Sequence, residues 1–181
     1  MRTNVTRYSI PVVGLALVIV CALALQAAEA PAGWKLIGKD PEAYEAGTDL
    51  HVLYEGAPSV YLKGREPMPK VAGLAETLPA EKYAGKRVRY SAFTKSEGVE
   101  GGAQLLLVVS REKGTWIECI AGPIRGNSDW HNYDVVVDVP QDAINIVVGV
   151  TLVGQGTVWL NDVKIEIVGP DVPTTQPSLG T

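Results

Sequence analysis

The chain has 181 residues, 16 basic and 20 acidic, for a net charge of −4. That balance lacks the basic footprint needed by a partner such as nucleic acid or an anionic membrane surface, so neither is expected. The length allows one domain with a sizeable core and is too short for two ordinary ones.

Residues 1–30 open with Arg2 and Arg7, run apolar from Pro11 to Leu25, and end in Ala28-Glu29-Ala30 ahead of Pro31. This is the layout of a secretory signal peptide and implies export to the periplasm or beyond. The apolar run has 15 residues, short of the roughly 20 a helix needs to span a bilayer. An uncleaved anchor is the lesser reading, and after cleavage no membrane insertion is expected. Cys21 follows Val20, where a lipoprotein site would carry a small residue. Cleavage leaves 14 basic and 19 acidic residues, a net −5. It also leaves Cys119 alone, which excludes an intramolecular disulfide and reads as a small buried hydrophobe; an intermolecular bridge would need an exposed thiol.

From Trp34 onward short β-prone runs alternate with turn signals. Ten strands are expected, at 34–37, 51–54, 59–62, 72–78, 86–94, 103–111, 115–121, 133–139, 143–153 and 158–168. The last three show the pattern best. Tyr133, Val135, Val137 and Val139 alternate with more polar positions, as do Ile144, Ile146, Val148, Val150 and Leu152, each as in a strand with one face on a core. Gly154-Gln155-Gly156 then reverses the chain into a hairpin. Breaks fall at Gly- or Pro-containing segments, among them 98–102 and Gly122-Pro123. Residues 41–44 and 79–85 could each make one helical turn. Ten strands at this spacing predict an antiparallel sandwich or barrel occupying 31–169. Residues 170–181, rich in Pro and Thr, read as a disordered tail.

Gly33-Trp34, Asp40-Pro41 with Tyr44 and Gly47, Tyr83 to Arg89, Gly122 to Gly126 with Asp129-Trp130 and Tyr133, Val137 to Pro140, and Val158 to Val163 together resemble a known group. These segments are similar to uncharacterised bacterial jelly-roll domains of the galactose-binding-like type, themselves similar to carbohydrate-binding modules and sometimes joined to transcription regulators or esterase-like enzymes. The resemblance implies an all-β, antiparallel jelly-roll β-sandwich and carbohydrate as the ligand class. The middle strands depart from it at 74–76, 106–110 and 117–120, where relatives carry more polar and aromatic side chains.

Sugar recognition needs flat aromatic faces and a few polar groups. The bland reading of Trp34, Trp130 and Trp159 is core or edge packing. Trp116 follows the loop Glu112-Lys113-Gly114 and is expected to stand exposed. Arg89, with Arg111 and Asn145, could line a shallow polar groove on a sheet face; a solvated outer face is the plainer alternative. Jelly rolls of this type often hold a structural calcium near an Asp of the last strand, and the resemblance places that role on Asp162, helped by Asp40, Glu42 or Asp49. Zinc is not expected, since His51, His131 and Cys119 lie on separate elements. His131 beside Asp129 and Asp134 is the one grouping that suggests catalysis, but no Gly-x-Ser-x-Gly elbow or phosphate-cradling loop accompanies it. The expectation is therefore a non-enzymatic, exported module that binds carbohydrate. Its rival is a structural or protein-interaction module that meets a protein partner.

Overall fold

A computed structural model of the chain describes residues 30–66, 70–114 and 116–176. Apart from Ala30, the expected signal peptide lies outside the described residues. The described residues fold as eight antiparallel strands: β1 (Trp34–Gly38), β2 (Tyr44–Tyr54), β3 (Ala57–Gly64), β4 (Val71–Pro79), β5 (Arg87–Arg111), β6 (Trp116–Asp138), β7 (Ala143–Val153) and β8 (Gly156–Val168). Two 3-10 turns, Pro41–Ala43 and Glu112–Gly114, are the helical elements among the described residues. The expected turn at 79–85 is a hydrogen-bonded loop in which the Tyr83 and Ala84 amides both donate to the Ala80 carbonyl.

Where ten strands were expected there are eight, because β5 and β6 each fuse two of them. The glycines of 98–102, which looked like a strand end, are bends, and β6 bends at a glycine of its own. Gly98 (φ 60°) and Gly102 (φ 110°) bend β5, and Gly126 (φ 62°) bends β6. The β5–β6 ladder slips register around these points yet continues on both sides of them. A side chain strains a backbone in this region of φ, whereas glycine accepts it, so the ladder can fold over without breaking.

The bend sorts β5 between two partners: Arg87 to Glu97 pair with β8, and Ala103 to Arg111 pair with β7. The hydrogen-bonded path β1-β4-β7-β5-β8-β3-β2, with β6 on β5, thus curls into two layers. The front layer is β2-β3-β8, the first half of β5 and the second half of β6. The back layer is β1-β4-β7, the second half of β5 and the first half of β6. Between them lies one core, drawing Leu62, Leu160 and Val88 from the front and Leu74, Leu105, Leu107, Ile146 and Leu152 from the back. Each such side chain contributes about 1.5–3 kcal/mol by leaving water. Tyr90 is fully buried and ties the layers together, its hydroxyl donating to the Gly149 carbonyl at 3.2 Å.

The segment read as a disordered tail is held against the domain over its described part, 170–176. The Thr175 amide donates to the Val136 carbonyl (2.8 Å), and the Val136 amide donates to Thr175 Oγ1 (3.0 Å). Arg87 Nη1 donates to the carbonyls of Pro170 and Val172, both at 2.7 Å. Composition missed this because the segment is fixed by backbone bonds to the edge strand β6 and needs little apolar content.

Candidate functional site

Side-chain alternation gives the front layer two unlike faces. Leu62, Val158, Leu160, Tyr90, Thr94 and Ser96 point inward and are buried. The opposite parity carries Tyr61 and Lys63 on β3, Thr157 and Trp159 on β8, and Phe93, Lys95 and Glu97 on β5. β2 adds Glu45 and Asp49 at the edge, opposite Lys63 and Ser59. Past Asp49 the β2–β3 register slips before Leu53, so residues 50–52 stand out of the ladder. The hairpin closes at Glu55-Gly56, both with positive φ (49° and 83°), the geometry of a two-residue turn that matches strand twist. Its tip is anchored from β8 by the Asn161 amide, which donates to the carbonyls of Ala57 and Pro58 and to Ser59 Oγ. Tyr54 stacks on Phe93 with ring centroids 4.3 Å apart and 23° between planes, and meets Trp130 at 5.2 Å.

Beside this wall lies a concavity of about 480 Å³ lined by Glu45, Thr48, Asp49, Leu50, His51, Tyr61, Lys63, Thr157 and Trp159. A second, of about 390 Å³, is lined by Lys95, Ser96, Glu97, Asn127, Ser128 and Asp129. Trp159 pairs with Lys95 and Thr157 with Glu97 across the β8–β5 ladder, so the two concavities adjoin.

The polar groups are held in place. Trp159 is 7% exposed, and its indole N–H donates to Asp49 Oδ2 at 3.0 Å. Asp49 Oδ1 accepts from the amides of His51 (2.9 Å) and Val52 (3.1 Å). Burial alone would raise the Asp49 carboxyl, but the His51 amide, the Trp159 indole and the Val52 amide together hold it below the ordinary aspartate value. The Tyr61 hydroxyl donates to Glu45 Oε1 at 2.6 Å, and Arg65 pairs with the other oxygen. These two donors hold Glu45 below its usual range, while burial, then the Glu45 carboxylate, push the Tyr61 phenol up to about 12. Asp129 accepts from the Trp130 amide (2.9 Å) and from Lys95 Nζ (3.1 Å), and its carboxyl is lowered by both.

The residues singled out from sequence fall in other places. Trp116 is 67% exposed, as expected. It sits on the outer face of the back layer, in a row with Ser110 and Asn145. Arg111 forks onto Asp142 with two 3.0 Å bonds. Arg89 lies on the front layer, 3.9 Å from Asp134. The groove expected from Arg89, Arg111 and Asn145 is therefore not formed: the two expected strands 86–94 and 103–111 are the ends of β5, and the bend at 98–102 puts those ends in different layers.

Asp162 pairs with Lys164 at 2.6 Å. Asp40 accepts from Lys70 Nζ and the Val71 amide, both at 3.1 Å, and Asp49 is engaged with Trp159. These carboxylates do not converge, and among the described residues no group of three or more His, Cys, Asp or Glu is placed to hold a metal ion. Calcium takes six to eight oxygens, carbonyls among them, and Asp162, Asp40 and Asp49 each already face a donor of this chain. His131 is exposed and packs edge-on to Tyr133 at 5.0 Å, while Asp129 and Asp134 face Lys95 and Arg89. The three do not form a catalytic constellation.

The curled two-layer architecture matches solved structures at low sequence identity. One is the C-terminal family 22 carbohydrate binding module of Clostridium thermocellum Xyn10B, in which conserved amino acids of a cleft were studied for ligand binding: TM-score 0.57, 16% identity, 80% of this chain and 91% of that one. Another is TmCBM61, solved with beta-1,4-galactotriose: TM-score 0.52, 17% identity, 77% and 91%. The fold is the jelly roll of carbohydrate-binding modules. No family model matches the chain. In sequence it is 34% identical over 148 residues to the uncharacterized HTH-type transcriptional regulator YbfP of Bacillus subtilis (strain 168), covering 79% of this chain. The chain spans about half the length of that curated relative (50%), and 20% and 26% of two larger solved chains that share the fold.

Glu45, Asp49, Tyr61 and Trp159 were not assembled from sequence, yet a signal existed. In Val60-Tyr61-Leu62-Lys63 and Val158-Trp159-Leu160, each aromatic has the parity opposite to its aliphatic neighbours. That places both rings on the face away from the core.

Proposed function

We propose that this chain is an exported, non-catalytic module that binds carbohydrate on the outer face of the front layer. The observation that carries the reading is the concavity of about 480 Å³ in which Tyr61 and Trp159 stand among Glu45, Asp49, His51, Lys63 and two threonines. A pyranose presents a flat C–H face that packs on an aromatic ring, and hydroxyls that bond to carboxylates, amines and hydroxyls. A shallow site with rings and fixed polar groups meets both needs. Preset polar groups also limit the ordering cost of binding. The likeness of fold to modules solved for ligand binding supports the same reading.

The test is a titration of the secreted form with soluble neutral glycans, followed by intrinsic tryptophan fluorescence. Trp159 lines the site, so occupancy is expected to shift the emission saturably, and Tyr61→Ala is expected to move the midpoint of that shift to a glycan concentration about tenfold higher or more while a cooperative thermal transition remains. A folded protein that responds to no glycan would overturn the proposal.

A further inference from the structure

Building on that carbohydrate reading, we infer that the ligand is an uncharged, unbranched glycan lying across the strands of the front layer, with one chain filling both concavities. Continuity is the first argument. Residues directly paired across an antiparallel ladder share a face. The pairs Trp159–Lys95 and Thr157–Glu97 each join a residue of the larger concavity to one of the smaller. The two concavities therefore adjoin along the β8–β5 ladder, Tyr61 and Trp159 on one side and Lys95 and Asp129 on the other.

Length is the second. Five strands separated by about 4.8 Å give a track of roughly 19 Å, which suits several sugar units rather than one. β2 and β6 are the edge strands of this layer, so the track opens at both ends, and a chain can enter at one edge and leave at the other without presenting a terminus.

Charge is the third. The track carries the carboxylates of Glu45, Asp49, Glu97 and Asp129. Of the cations along it, Lys95 is paired with Asp129 and Arg65 with Glu45, which leaves Lys63 to meet a ligand. A uronate at any subsite would sit among these carboxylates, whereas neutral hydroxyls can donate to their oxygens.

The experiment is calorimetric titration of the secreted protein with length ladders, disaccharide to hexasaccharide, of β-1,4-linked xylan, galactan and glucan, and with oligogalacturonates of the same lengths. For at least one neutral ladder, Kd is expected to tighten by about tenfold or more from disaccharide to hexasaccharide. Asp129→Ala is expected to weaken the hexasaccharide several-fold and leave the disaccharide unchanged, and oligogalacturonates are expected to bind at least about tenfold more weakly, with the gap narrowing in salt. Length-independent affinity that Tyr61→Ala still weakens would overturn the two-concavity track and leave carbohydrate binding standing. Tighter binding of oligogalacturonates would overturn the charge selection. Failure of every ladder in a protein with an intact thermal transition would remove the underlying reading itself.

Discussion

The two layers share one core, yet their outer faces differ. The front face carries rings and ion pairs: Tyr61, Trp159, Phe93 and Tyr54, with Arg87–Asp138, Arg89–Asp134 and Lys95–Asp129 across neighbouring strands. The back face carries Gly73 and Ala75 on β4, Val147 and Gly149 on β7, and Leu106 and Val108 on β5; Gly73, Ala75, Leu106 and Gly149 are buried there, Val147 and Val108 half-buried, and Trp116 stands exposed at one corner. Large side chains and a slipped hairpin flank the concavities of the front face, whereas small residues are frequent on the back face. A grooved face with rings and fixed polar groups suits a sugar chain. The two faces of one jelly roll thus differ in what they offer a ligand, and substitutions on each should separate their roles.

The largest expected effect is on the back face. A Cβ on Gly149 would meet the Leu74 carbonyl oxygen at 2.2 Å and Ala75 Cα at 2.7 Å. These are backbone atoms that cannot swing aside, and they belong to the β4 strand that pairs with β7 throughout its length. Gly149→Ala is expected to cost about 3 kcal/mol, read as a shift of the denaturant midpoint, with glycan affinity per folded molecule unchanged. Wild-type stability in that variant would mean that β4 and β7 can move apart.

Next is Tyr61→Ala on the front face, expected to raise Kd for a neutral oligosaccharide by about tenfold or more, roughly 1.4 kcal/mol. Tyr61→Phe keeps the ring, loses the hydroxyl bond to Glu45 (2.6 Å) and is expected to fall between the two. Equal losses from both variants would assign the affinity to the hydroxyl instead of the ring.

A smaller effect is expected from acid. Glu45 is held below 4.5 by the Tyr61 hydroxyl and Arg65, and Asp49 below 3.8 because its amide and indole donors outweigh burial. A carboxylate with a lowered folded pKa adds stability that is complete above its unfolded value and is lost as pH falls through the folded one. Thermal stability owed to these two groups is therefore expected to be flat from neutral pH down to about 5 and to decline below about 4. Asp49→Asn should shrink that decline; an unchanged acid limb would place the acid sensitivity elsewhere.

These contrasts also mark what the chain reveals by itself. Strand positions were legible because alternation is local: Tyr133 to Val139 and Ala143 to Val153 could be read residue by residue. The fusion of strands into β5 and β6 was not, since a glycine that ends a strand and one that bends it have the same sequence. The site was harder still. Tyr61 and Trp159 become neighbours only because β3 pairs with β8, while Arg89 and Arg111, on one strand, part company at the bend. Exposure of Trp116 was legible from the loop before it, but exposure does not say which face a residue joins.

Trp116→Ala closes the comparison with the smallest expected effect. The ring is 67% exposed and stands across from Ser110 and Asn145 on the back face, in neither concavity of the front layer. An exposed ring has little burial to lose, so stability should change by no more than about 0.5 kcal/mol. If the front face alone binds glycan, the Kd of Trp116→Ala for the hexasaccharide should match wild type within error while that of Tyr61→Ala rises. A loss at Trp116 equal to that at Tyr61 would mean that sugar reaches the back layer, and the division of the molecule into a sugar-binding front face and a back face outside the site would have to be abandoned.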